Sequence, residues 1–85
     1  MEDIKEKSAD EMFEELGFEK VDLKDKWERI WGVEYQNHKE WVSISLDFID
    51  KTICTATLED DSEPVYITMQ DLKAINKKIE ELGWI

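Results

Sequence analysis

Between Thr68 and Gly83 four aliphatic residues, Leu72, Ile75, Ile79 and Leu82, follow one another by three, four and three positions. That spacing lines them along one face of an α-helix. Thr68 is placed as the N-cap, with Asp71 three residues on as an approximate capping box whose charge also suits a helix N-terminus. Lys77 and Lys78 lie towards the other end, where the helix dipole favours cations, and Gly83 can take the left-handed conformation that stops a helix. The spacing predicts a helix over Met69 to Leu82. An apolar stripe of this kind needs a covering surface, and in 85 residues with one cysteine the rest of the chain must supply it without an internal disulfide.

A second helix is signalled near the other end. Ser8 with Glu11 three residues later forms a capping box, Asp10 and Glu11 fall in the first turn, and Ala9, Met12, Phe13 and Leu16 make an apolar stripe that ends at Gly17. Phe18 is expected to fold back on that helix. Residues 1–7 are charged and without pattern, and read as a flexible tail ahead of a single domain over 8–85.

From Val21 onward the hydrophobic period becomes two. A strand over Trp27 to Gln36 would bury Trp27, Trp31, Val33 and Tyr35 on one face, and Asn37-His38-Lys39 would turn the chain. The next strand, Glu40 to Phe48, directs Val42, Ile44, Leu46 and Phe48 inward and Trp41, Ser43, Ser45 and Asp47 outward. After a tight connection at Ile49 to Lys51, a strand over Thr52 to Leu58 would turn Cys54, Ala56 and Leu58 to the core. Glu59 to Pro64 is a polar break, and Val65 to Ile67 is the candidate for a fourth, edge strand. The expected fold is α+β in two layers: a helix, a three- or four-stranded antiparallel meander, and a helix, with both helices on one face of the sheet.

Charge narrows the function. There are 22 Asp and Glu against 11 Lys and Arg, a net charge of -11. Residues 1–22 hold nine acids and three bases, net -6, and Glu59 to Glu63 holds four acids and no base, net -4. A field of that sign repels phosphate backbones and anionic lipid, so direct nucleic-acid or membrane binding is not expected. With no apolar run long enough to span a bilayer and no signal-like segment, the expectation is a cytoplasmic protein.

No residue constellation points to catalysis or a cofactor. His38 in a turn reads as surface, and one His with one Cys supplies neither a zinc set nor a nucleophile pair. Cys54 reads as a small buried hydrophobe. Glu59, Asp60, Asp61 and Glu63 lack the spacing and central glycine of a calcium loop. These four, with Glu11, Glu14 and Glu15, read either as a solvated face serving solubility or as an acidic binding surface. Four tryptophans are many for two layers to hide, and Trp41, outward and near Ile53 of the neighbouring strand, reads either as covered by core or helix packing or as a candidate interface anchor.

The segments Ala9-Asp-Glu-Met-Phe-Glu-Glu-Leu-Gly-Phe18 and Tyr66-Ile-Thr-Met-Gln-Asp-Leu-Lys-Ala-Ile-Asn-Lys-Lys-Ile-Glu-Glu-Leu-Gly-Trp84 resemble the two ends of small uncharacterised proteins encoded by phages and prophages of Gram-positive bacteria. The resemblance carries no assigned activity and no site residue. It implies a setting in which a small acidic protein binds and modulates a host protein with a basic surface, for example a nucleic-acid-binding defence protein. The alternative is a structural protein that self-associates, as a homodimer or larger, through the outer sheet face or an edge strand.

Overall fold

The computed structural model describes residues 7–58 and 65–84. The elements run α1 (Ala9–Glu15), β1 (Glu19–Lys24), β2 (Ile30–Asn37), β3 (Val42–Asp47), β4 (Thr52–Thr57) and α2 (Met69–Leu82). The four strands form one antiparallel sheet in the order β1-β2-β3-β4, so the fold is α+β.

Both helices start and stop where local chemistry dictates. The Ser8 hydroxyl accepts from the Glu11 backbone N–H while the Glu11 carboxylate accepts from the Ser8 N–H, and Thr68 and Asp71 repeat the arrangement on α2. Each box satisfies amide donors that a helix start otherwise leaves unpaired. Gly17 (φ 94°) and Gly83 (φ 74°) take the left-handed conformation just past the helix ends. After Gly17 the Phe18 N–H returns to the Phe13 carbonyl, and the two rings meet edge to face at 5.4 Å.

The three hairpin turns share a construction that contains no glycine. In each an Asx side chain accepts backbone N–H groups just ahead of it: Asp25 from Trp27 and Arg29, Asn37 from Lys39 and Glu40, Asp47 from Ile49 and Asp50. A left-handed residue then returns the chain: Glu28 (φ 61°), Trp41 (φ 57°) and Lys51 (φ 56°). The Asx acceptors offset the cost of placing side-chain-bearing residues in that region.

Register decides which face is buried. Val33 and Tyr35 of β2 stand opposite Leu46 and Ile44 of β3, and these four are buried under Phe13 and Phe18 at the α1 end and Ala74 and Ile75 of α2. Trp31 and Phe48 are partly buried on the same face, and Trp84 packs against the core cluster. Gly32 leaves no room for a side chain against β3: an added Cβ would sit 2.5 Å from the Leu46 carbonyl oxygen.

Several expectations are corrected. The fourth strand is Glu19–Lys24, not Val65 to Ile67, which has no regular secondary structure. With only Val21 and Leu23 apolar among its six residues, this strand is held by its ladder to β2 rather than by an apolar pattern of its own. β2 begins at Ile30, and Trp27 sits in the preceding turn, 64% exposed instead of buried. On β4 the face is inverted. The connection from Asp47 to Thr52 sets Ile53 opposite Leu46 and Thr55 opposite Ile44, so Cys54 and Ala56 fall on the outer face and Cys54 is exposed. A shift of one residue moves every side chain of a strand to the other face. The same register separates Trp41 from Ile53: Trp41 adjoins Leu58 at one end of the strand, and Ile53 pairs with Leu46 towards the other. On α2, Leu72 is 42% exposed while Ala74 and Asp71 take the buried positions beside Ile75.

Candidate functional site

The chain's ionic chemistry converges on Asp10, in the first turn of α1. Its carboxylate accepts a hydrogen bond from the Tyr35 hydroxyl of β2, and ion-pairs with Lys20 of β1 at 2.9 Å and with Lys78 of α2 at 3.4 Å. One side chain therefore ties four elements together. Burial alone would raise the Asp10 carboxyl, but the hydrogen bonds from Tyr35 and Lys20 and the charges of Lys78 and Lys20 outweigh it and hold the group below its ordinary range. The bond to Asp10 raises the Lys20 ammonium. Burial, and then the bond to Asp10, push the Tyr35 phenol far above its ordinary value. Beneath the knot the Tyr35 ring stacks on Phe13 with centroids 3.8 Å apart. A carboxylate held ionised between two ammonium groups, with a phenol that keeps its proton, serves as a structural knot rather than an acid–base pair.

Beside this knot a cleft of about 600 Å³ opens between α1 and β1. Asp10, Glu11, Glu14, Glu19 and Lys20 line it together with Gly17 and the aromatic residues Phe13, Phe18 and Tyr35. Of the acids expected to bind a partner, Glu11 and Glu14 thus lie together, joined by Glu19. Glu11 has part of its hydrogen-bonding capacity committed to the cap of α1. Glu14 and Glu19 are exposed and make no ion pair among the described residues. Glu15 does not line this cleft and is ion-paired with Lys7. Trp41 is 49% exposed in the β2–β3 turn, whose Asn37 side chain donates to the Leu16 carbonyl and so fastens that turn to the end of α1. Glu59, Asp60, Asp61 and Glu63 lie outside the described residues.

Asp10, Glu19, Lys20 and Lys78 are not among the site residues expected from the sequence, where Asp10 and Lys78 figure only as charges suited to helix ends. Their assembly requires β1, and the pairs Lys20 with Tyr35 and Glu19 with Gln36 exist only through the β1–β2 register. Trp27, expected in the core, projects instead from the β1–β2 turn with the Lys26 ammonium 4.5 Å and the Arg29 guanidinium 4.9 Å from its ring centroid. Cation–π contacts with flanking bases can hold an exposed indole in this way.

His38 is exposed and contacts the Gln36 side chain at 3.2 Å. Among the described residues no group of three or more His, Cys, Asp or Glu is placed to hold a metal ion, and no helix is long and apolar enough to cross a membrane. No protein-family model matches the chain, and no curated protein and no solved structure matches it.

Proposed function

We propose that this chain is a small acidic binding protein of phage type, without enzymatic activity, that engages a basic surface on a host protein, such as the nucleic-acid-binding groove of a defence protein. The observation that carries the reading is the α1–β1 cleft, where exposed Glu11, Glu14 and Glu19 flank aromatic side chains. Glu14 and Glu19 make no ion pair among the described residues and so keep their field for a partner, whereas Asp10 and Glu15 are ion-paired within the chain. An array of this sign speeds encounter with a basic partner and disfavours acidic ones. Trp41, on the turn fastened to the end of α1, would add an aromatic anchor at the edge of that surface.

The test is a pull-down from a Gram-positive lysate with tagged wild type and with a Glu14→Lys, Glu19→Lys double variant, washed at low and at high salt. A basic nucleic-acid-binding protein held by wild type at low salt, shed at high salt and missing from the variant supports the reading. Equal retention by both proteins, or recovery of the bait alone, refutes it.

A further inference from the structure

We infer that β4 is a self-recognition edge, pairing antiparallel with β4 of a second copy to join two sheets into one of eight strands. The two outer strands of the sheet are built differently. β1 carries Glu19, Lys20, Asp22 and Lys24 among six residues, and its ladder is irregular between Leu23 and Lys24. Charge and irregularity are the usual devices that keep an edge from pairing. β4, Thr52-Ile-Cys-Thr-Ala-Thr57, has no charged residue, although 39% of the chain is charged. It has no bulge, and its pairing with β3 is regular throughout.

The hydrogen-bond phase identifies the available groups. The Leu58 N–H donates to the Trp41 carbonyl, so Trp41 and Leu58 form a hydrogen-bonded pair. Alternation along an antiparallel ladder then turns the backbone groups of Ala56, Cys54 and Thr52 towards β3, and those of Ile53 and Thr55 away from it. The Ser45 hydroxyl donating to the Cys54 carbonyl fits that phase.

A second copy supplies the matching groups. With the strands antiparallel about a two-fold axis through Cys54, Ile53 of each chain exchanges hydrogen bonds with Thr55 of the other, and Cys54 stands opposite Cys54 as a non-hydrogen-bonded pair. This register needs outward backbone groups from only these two residues of each chain. Opposed residues have the same parity, so both helix layers stay on one side of the joined sheet. The two Ile53 side chains, each 39% exposed on the helix-side face, become diagonal neighbours and cover each other's open flank. An uncharged strand is also where two chains of net charge -11 can meet with least repulsion.

This inference does not depend on the acidic-surface reading, and salt separates the two. Screening weakens an acid–base contact but strengthens association between like-charged copies. Sedimentation equilibrium from micromolar to millimolar protein, at low and high salt, is expected to show a monomer–dimer equilibrium that shifts towards dimer as salt rises. A short bis-maleimide should link Cys54 to Cys54 in the dimer. Cys54→Lys and Cys54→Glu alter an exposed outer-face position, and each alone should raise the dimer dissociation constant about five-fold or more by opposing like charges. Mixing the two variants should restore association. A monomer at millimolar concentration in both salts overturns the inference, as does a dimer that either variant leaves unchanged or one that dissociates as salt rises.

Discussion

Replacing Tyr35 with Phe removes one hydroxyl from the knot around Asp10 and leaves the packing intact. Tyr35 is 1% exposed, and its ring stays stacked on Phe13 in the variant. Asp10 keeps Lys20 and Lys78, so no buried carboxylate is orphaned. The loss is one hydrogen bond to a charged acceptor, worth about 1.5–3 kcal/mol in general. The Asp10 side chain is 40% exposed and water screens part of that bond, which places the expected cost near the lower end, about 1.5 kcal/mol. Asp10→Ala should cost more, about 3 kcal/mol, because it strands a buried phenol and leaves Lys78, 12% exposed, without this counter-charge. Urea unfolding followed by tryptophan fluorescence, with the slope unchanged across variants, measures both. The sign with pH also follows. The Asp10 carboxyl is depressed in the fold below its ordinary value of 3.8, so its contribution is complete above that value and is lost as pH falls through the folded one. The stability gap between wild type and Asp10→Asn should therefore hold steady at neutral pH and shrink in acid. A Tyr35→Phe variant as stable as wild type, or one costing more than Asp10→Ala, would refute this account of the knot.

Two glycines should respond to alanine for different reasons. Gly32→Ala drives a Cβ against the Leu46 carbonyl and should cost about 1–3 kcal/mol, read as a lowered urea midpoint. Gly83→Ala meets nothing within 4 Å, so only its left-handed φ of 74° penalises it, by about 1 kcal/mol. Cys54 should react with an aromatic disulfide reagent in the native protein at close to the rate seen in urea, since it lies exposed on the outer face of β4. Protection of that thiol in dilute protein would contradict the register described for β4.

Much of the fold was legible in the sequence because its signals are local. Ser8 with Glu11, Thr68 with Asp71, and Gly17 and Gly83 act within a few residues of themselves, so they place the helices whatever packs against them. Val42, Ile44, Leu46 and Phe48 alternate clearly enough to fix the inward face of β3 without reference to its neighbours. Glu11 and Glu14 stand three positions apart on α1, so their shared lining of the cleft follows from helix periodicity and was also legible in the sequence.

The rest depended on pairings that composition does not encode. β1 has too few apolar residues to announce itself and exists because β2 offers it a ladder. Cys54 and Ala56 are apolar enough to read as core, but the Asp47 turn with left-handed Lys51 fixes the register that turns them outward. Asp10, Tyr35, Lys20 and Lys78 span 68 positions of sequence and become one knot only when β1, β2 and α2 close around α1. Helix ends are set by hydrogen bonds between near neighbours, and the sequence alone determines them. The faces of strands and the meeting of distant charges depend on register, which a single residue of slip reverses, and only the tertiary structure decides them.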